Sequence, residues 1–404
     1  MSTGPNIDPV ADWAESGIAA LTGFLDGPPL IPPGRAATRA RELSAFVASA
    51  TSGVVRLDGA RLLSERAAFT GHHRSGNVSA GGSCRVLPTA DGWAAVSCAR
   101  SDDPLLLGAL VSAEIDGDPW PIVGRWLREH TGTEMAERAE LLGVAAGPIV
   151  APAAMPPIPS APRSVEGLLV VDFSALWAGP LCAHLLGLAG ARVVKVETPW
   201  RPDGARRGNH EFYRLLHGGH ESVVLDPNVP GERAALHDLV ASADIVIEAS
   251  RPRALAGFGL DADAVTGAGG TWVSITAHGR HCDRVGFGDD VAASAGLVAH
   301  DRGTPVFVGD AIADPLTGLT AAALAMSESG GRLWDVSMFA VVAGTLPDSD
   351  ITVPPAYRIG DRWWVDTASD TVPIAEPAAR APFATAPESG RDTDAVLSGL
   401  GIRR

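Results

Sequence analysis

The chain has 404 residues, 46% of them apolar and 20% charged, a composition suited to one or two soluble globular cores. A formal charge of −15 opposes any general affinity for nucleic acid or an anionic membrane, and no apolar run is long enough to span a bilayer. The four cysteines, at 84, 98, 182 and 282, are too far apart for a metal-ligand pattern, and the first residues lack a basic-then-apolar leader, so a cytoplasmic protein is expected.

In chain order, residues 12–25 (ADWAESGIAALTGF) read as a short helix, and the prolines of 26–34 then enforce irregular backbone. A second helix is expected over 36–52. Between 61 and 99 the texture is strand-like, with a turn at 90–92, and 120–143 reads as two helices. The stretch 144–164, VAAGPIVAPAAMPPIPSAPRS, carries six prolines and predicts an extended linker. From Gly167 the pattern changes. GLLVVDF, ARVVKVE, SVVLD, ADIVIEA and TWVSITA are five buried strands with helical runs between them, and a small-residue helix is expected over 316–326. Such alternation predicts an α/β fold, an open and mostly parallel Rossmann-like sheet with helices on both faces, beside a smaller α+β unit. The first strand is followed by DFSALWAGP rather than a GxGxxG turn, which argues against a dinucleotide.

Two constellations carry chemistry. VFVGDAIADPLTG, 306–318, places Asp310 and Asp314 four apart ahead of the small-residue helix. A carboxylate there is either a plain helix cap or an oriented, accessible nucleophile. In the nucleophilic reading the helix N-terminus would favour the ionised form of Asp314. KVETPWRPDGARRG, 195–208, gathers Arg201, Arg206 and Arg207 after a strand of an otherwise acidic protein, which reads as an anion site or as a solvated charged loop. The histidines at 72, 73, 210, 217, 220, 278 and 281 form no strong metal motif and are expected to be polar surface.

GLLVVDFSALWAGPLCAHLLGLAGARVVKVETP, SVVLDPNVPGERAALHDLVASADIVIEASRPRALAGFGLD, WVSITAHGR with GFGDD, and GDAIADPLTGLTAAALAMSESGGRLWDVSMF together resemble the family III CoA-transferases, a group that includes carnitine CoA-transferases and alpha-methylacyl-CoA racemases. The resemblance covers about 166–339. It implies a nucleophilic aspartate at Asp314, through DPLTG, and coenzyme A as a substrate lying against Leu176, Trp177, Ala178, Arg201, Arg206 and Arg207. The implied reaction moves CoA from an acyl-CoA to a small carboxylic acid through aspartyl anhydride and aspartyl-CoA intermediates, in an interlocked homodimer, with no metal or redox cofactor. Acyl-CoA racemization and acyl-CoA binding without turnover are the alternatives. The chain departs from the family pattern at His217 and His220, where an asparagine and a lysine are usual. Ala249 replaces an asparagine, and Asp289 replaces the racemases' histidine, which weighs against racemase chemistry. The order of parts is also unusual. Residues 1–60 are expected to be a helical segment resembling part of the large domain, 61–160 the small domain, 166–343 the Rossmann-like large domain, and 344–404 a segment returning to it.

Overall fold

The computed structural model describes residues 8–150, 154–249, 252–328, 330–347 and 353–404. Helices α1 (Pro9–Glu15) and α2 (Ala36–Ala50) come first, then two short helices, α3 (Gly59–Leu62) and α4 (Glu65–Thr70). Gly71, at φ 70°, takes the left-handed conformation that closes α4. An antiparallel sheet of β1 (Cys84–Pro88), β2 (Trp93–Ser97) and β3 (Ala146–Pro148) follows. It is covered by α5 (Asp103–Val111), α6 (Trp120–Glu129) and α7 (Gly132–Leu142), and Val96, Leu107, Leu127 and Met135 lie in this unit's own core.

The main sheet then begins with β4 (Leu169–Asp172), α8 (Ala178–Leu188), β5 (Arg192–Glu197), α9 (His210–His217), β6 (Glu221–Val224), α10 (Pro230–Ala241) and β7 (Ile245–Glu248). It continues through α11 (Pro252–Ala256), α12 (Ala262–Gly267), β8 (Thr271–Thr276), α13 (Gly288–Ser294), the hairpin β9 (Val298–Asp301) and β10 (Thr304–Phe307), α14 (Ala313–Ala325), β11 (Arg332–Ser337) and α15 (Met338–Ala343). A three-stranded sheet, β12 (Tyr357–Ile359), β13 (Arg362–Asp366) and β14 (Thr371–Pro373), and a last helix, α16 (Thr393–Gly399), complete the order.

Six strands form the main sheet in the order β11-β8-β7-β4-β5-β6, and every pairing is parallel. The five strands expected from the sequence are all present, and β11 is a sixth. Their Val and Ile runs fit a sheet buried on both faces. Along β4 the period of two is visible in the packing: Val170 enters the core shared with α2, α8 and α14, whereas Leu169 and Val171 enter the core beneath α10, α12 and α16. Helix α14 is buried nearly all round, as its small and apolar residues require. Its Gly318 packs so tightly on α8 that an added Cβ would stand 2.5 Å from the Ala178 carbonyl oxygen.

The chain runs outward in one direction through β4, β5 and β6 and in the other through β7, β8 and β11. The order therefore reverses between β4 and β7, and the crevice beyond the carboxyl ends of those two strands is the expected ligand position of an open α/β sheet. No break in packing coincides with the boundary expected at residue 60. Leu62 and Leu63, either side of the α3 end, share the core of α2, α8 and α14, and the separately packed unit is built from residues 87–146. Val396 and Leu397 of α16 lie in the second core of the main sheet. Among the described residues, no helix is long and apolar enough to cross a membrane.

Candidate active site

Helix α14 begins at Ala313, three residues earlier than its sequence pattern predicts, so Asp314 stands inside the first turn rather than before it. Pro315 is tolerated there because the first-turn N–H groups have no intrahelical partner. The Asp314 carboxylate makes no hydrogen bond to any described residue, although the side chain is half-buried and deep among protein atoms. A Cβ on Gly288, the first residue of α13, would come within 2.5 Å of Asp314 Oδ2 and equally close to the Ala311 carbonyl oxygen. The missing side chain at 288 makes the room in which this carboxylate sits.

Asp310 has a different fate. It is fully buried and forked by Arg66 of α4, whose Nε lies 2.8 Å from Oδ2 and whose Nη2 contacts Oδ1. Nδ1 of His72 stands 3.2 Å from the same Oδ2. Burial pushes the Asp310 carboxyl up, but the bonds and charges of Arg66 and His72 overcome it and hold the group down at about 2. Asp310 is a fixed anion inside an ion-pair network.

Asp289, next to Gly288, accepts the backbone N–H of Ala311 at 2.8 Å. Ala311 carries φ 48°, an uncommon conformation for a residue with a side chain, and this bond helps to hold it. Burial, with repulsion from Asp310, raises the Asp289 carboxyl to about 6. Asp314 is raised further, to about 7, by burial and by the charges of Asp289 and Asp310, with Arg66 opposing. The expectation that helix N-terminal donors favour its ionised form is thus overturned. No backbone N–H among the described residues donates to the carboxylate, and burial leads the upward shift.

Arg66 also joins Asp314 to the crevice. Its guanidinium stacks over Trp177, 4.9 Å from the ring centroid, and Trp177 meets Phe212 edge-on at 5.4 Å. Of the wall expected from Leu176, Trp177 and Ala178, only Leu176 presents a side chain to solvent, at 46% exposure. Trp177 and Ala178 are buried, the first because its ring is the platform for Arg66 and Phe212. Leu176 has φ 70°, and its N–H is held by Asp203 Oδ1 at 3.1 Å. Asp203 also pairs with the buried Lys195 at 2.9 Å, which ties the loop after β4 to the loop after β5.

The arginine cluster divides. Arg206 folds back onto Glu197, with Nε 2.9 Å from Oε1, and donates to the Pro387 carbonyl. Its charge is paired within the protein, so of the three arginines expected to offer contacts to an anion it is the one already engaged by a carboxylate. Arg201 and Arg207 remain exposed beside the crevice. His217 and His220 also depart from the surface position expected of them. Both are buried behind Lys195, and burial, aided by that cation, pushes His220 down to about 3 and His217 far below its usual range. Ala249 lies at the switch point, where a Cβ on Gly179 would be 3.5 Å from its own.

Arg66 and Gly288 escaped the sequence reading, and His72 was expected only as polar surface. Arg66 and Asp310 are 244 residues apart, and neither local spacing nor composition links them. A larger groove of about 1650 Å³, lined by Ile149, Met155, His300 and Pro347 among others, contains none of Asp310, Asp314, Leu176 or the arginines. No group of three or more His, Cys, Asp or Glu side chains among the described residues is arranged to hold a metal ion.

Residues 165–345 match the family model of CoA-transferase family III. The chain is 28% identical over 254 residues to the succinate–glutarate CoA-transferase of Agrobacterium fabrum, covering 55% of this chain and 64% of that protein. It is 28% identical over 227 residues to the succinyl-CoA–D-citramalate CoA-transferase of Chloroflexus aurantiacus, covering 50% and 56%. With the beta subunit of the succinyl-CoA–L-malate CoA-transferase of Chloroflexus aurantiacus it shares 32% over 171 residues, covering 38% and 42%. The chain spans about half the length of these curated relatives. The matched segment holds the whole main sheet, Asp289, Asp310 and Asp314, and it is through this segment that the chain is similar to CoA-transferase family III.

Proposed function

We propose that the protein transfers coenzyme A from an acyl-CoA thioester to a carboxylic acid, with Asp314 as the covalent carrier. The observation that carries this reading is the contrast between two neighbouring carboxylates. Asp310 is locked by Arg66 and His72, whereas Asp314 has no hydrogen-bond or ion-pair partner among the described residues, keeps part of its surface open and lies beside the crevice of the main sheet. A nucleophile must be both unpaired and placed.

In the first step an Asp314 oxygen adds to the thioester carbonyl, the C–S bond breaks, and a mixed anhydride and CoA thiolate result. The thiolate then attacks the Asp314 carbonyl, the electron pair leaves on the released carboxylate, and Asp314 carries CoA as a thioester. The acceptor carboxylate repeats these steps in reverse, so no net proton or redox equivalent is needed. Water must be kept from the anhydride, which suits a carboxylate set deep in the protein.

Incubation of wild-type protein with an acyl-CoA, followed by hydroxylamine trapping and intact-mass and peptide analysis, should show one modified carboxylate, at Asp314. Asp310→Asn should still form the adduct. Modification at Asp310, or at no carboxylate, would overturn the assignment.

CoA itself is proposed to lie across the switch point, against Leu176, with its phosphates toward Arg201 and Arg207. These are the two arginines of the loop not paired to Glu197. Two charge-assisted contacts are worth roughly 1.5–3 kcal/mol each at most when well formed. Calorimetric titration of CoA into Arg201→Ala/Arg207→Ala should therefore show at least a tenfold loss of affinity. An unchanged affinity rejects the placement.

A further inference from the structure

The guanidinium of Arg66 is used on one edge only. Nε and Nη2 fork onto Asp310, while Nη1 has no hydrogen-bond partner among the described residues. One face of the group lies over Trp177, and the side chain keeps 25% exposure. Gly81 stands next to the group on its Nη2 side, where an added Cβ would lie 4.0 Å from Nη2. The cation is close enough to Asp314 and Asp289 to act on both charges. A guanidinium with one edge fixed by a buried carboxylate, one face on an indole and one edge unused is a preorganised fork for a second carboxylate.

We propose that the free edge of Arg66 docks the carboxylate of the acid substrate, so that the nucleophile comes from the family segment and the acid-binding cation from the residues ahead of it. This rests on the transferase reading above. Charge balance supports the placement. When Asp314 becomes an acyl anhydride or a CoA thioester it loses its negative charge, and a free carboxylate is released or admitted beside it. Arg66 then faces one anion fewer from the protein, and the substrate carboxylate takes that place. In the unmodified site Asp314, Asp289 and Asp310 compete with it, so the acid is held when the covalent carrier is loaded and released when Asp314 is free.

Succinate is the probe. Asp314→Asn is a neutral stand-in for the acylated carrier, and calorimetric titration of sodium succinate into it at pH 7.5 should show binding that Asp314→Asn/Arg66→Gln weakens at least tenfold. Because Arg66→Gln strands Asp310 with His72 alone, the same titration is run with Asp310→Asn added, and it should show the same loss. In turnover, Arg66→Gln/Asp310→Asn should raise the KM for succinate at least tenfold, leave the KM for acyl-CoA within about twofold, and still form the Asp314 adduct. Equal succinate affinity with and without Arg66, or no binding to Asp314→Asn, overturns the proposal. Adduct formation in the wild type reports separately on the transferase reading: an adduct with Arg66-independent succinate binding sinks the docking role alone, and no adduct sinks both.

Discussion

Replacement of Asp314 by Asn should abolish CoA transfer while making the protein more resistant to heat at pH 8. The two effects have one cause. Burial raises the Asp314 carboxyl to about 7, so the ionised form is disfavoured in the folded chain and not in the unfolded one. A folded pKa above the unfolded value means that the native state binds the extra proton. Stability from this group is fully present below the unfolded pKa of 3.8 and is lost as pH rises through about 7. Asn cannot ionise and does not lose it. The difference in melting temperature between variant and wild type should open between pH 4 and 7, then stay constant above about 8. Allowing for the open part of the side chain, the gain is roughly 1–3 kcal/mol, or several degrees in Tm. Circular dichroism melts at pH 4.5, 6 and 8 measure it directly. An Asn variant less stable than wild type at pH 8 would show that the carboxylate contributes to the fold rather than being held there at a cost to stability.

The α/β sheet and the position of Asp314 were legible in the sequence for physical reasons. Fully buried strands need uninterrupted Val and Ile, as in LLVVD and ADIVIEA, and a helix buried against α8 needs Gly and Ala where the backbones meet, as at Gly318. Long-range pairing was not legible. Glu197 and Arg206 stand within one short stretch, yet nothing in their spacing reveals that the loop folds back, with the Asp203 N–H on Glu197 Oε1 and the guanidinium on the same carboxylate. His217 and His220 look like surface residues because they stand at a short Gly-rich turn between a helix and a strand, and the return of the chain near Ala384 against Gly218 shows how that region is enclosed. The helix-dipole expectation for Asp314 failed for a similar reason. It took account of the helix the residue belongs to, and not of the burial of the carboxyl or of the charges of Asp289 and Asp310.

Those neighbours also set the pH dependence of the first chemical step. In the proposed reaction only ionised Asp314 attacks the thioester, so the rate of adduct formation should rise about tenfold per pH unit below 7 and level off above it. An ordinary aspartate would be fully active from about pH 5 upward. The groups acting on Asp314 are Arg66, which lowers it, and Asp289 and Asp310, which raise it; His72 acts through Asp310. Asp289, itself raised to about 6, titrates in the same range, so the observed midpoints belong to the coupled pair. Asp289→Asn removes a negative charge near the nucleophile and should move the midpoint of adduct formation down, giving a faster reaction at pH 6 and little change at pH 8. That substitution preserves the acceptor for the Ala311 N–H, so the loop at 311 is retained. Quenched-flow measurement of the Asp314 adduct by intact mass in a single turnover, between pH 5 and 8.5, separates this from acceptor effects because no acceptor acid is added. A wild-type midpoint near 4, or a midpoint that Asp289→Asn leaves in place, would mean that the carboxylates around Asp314 do not control its charge.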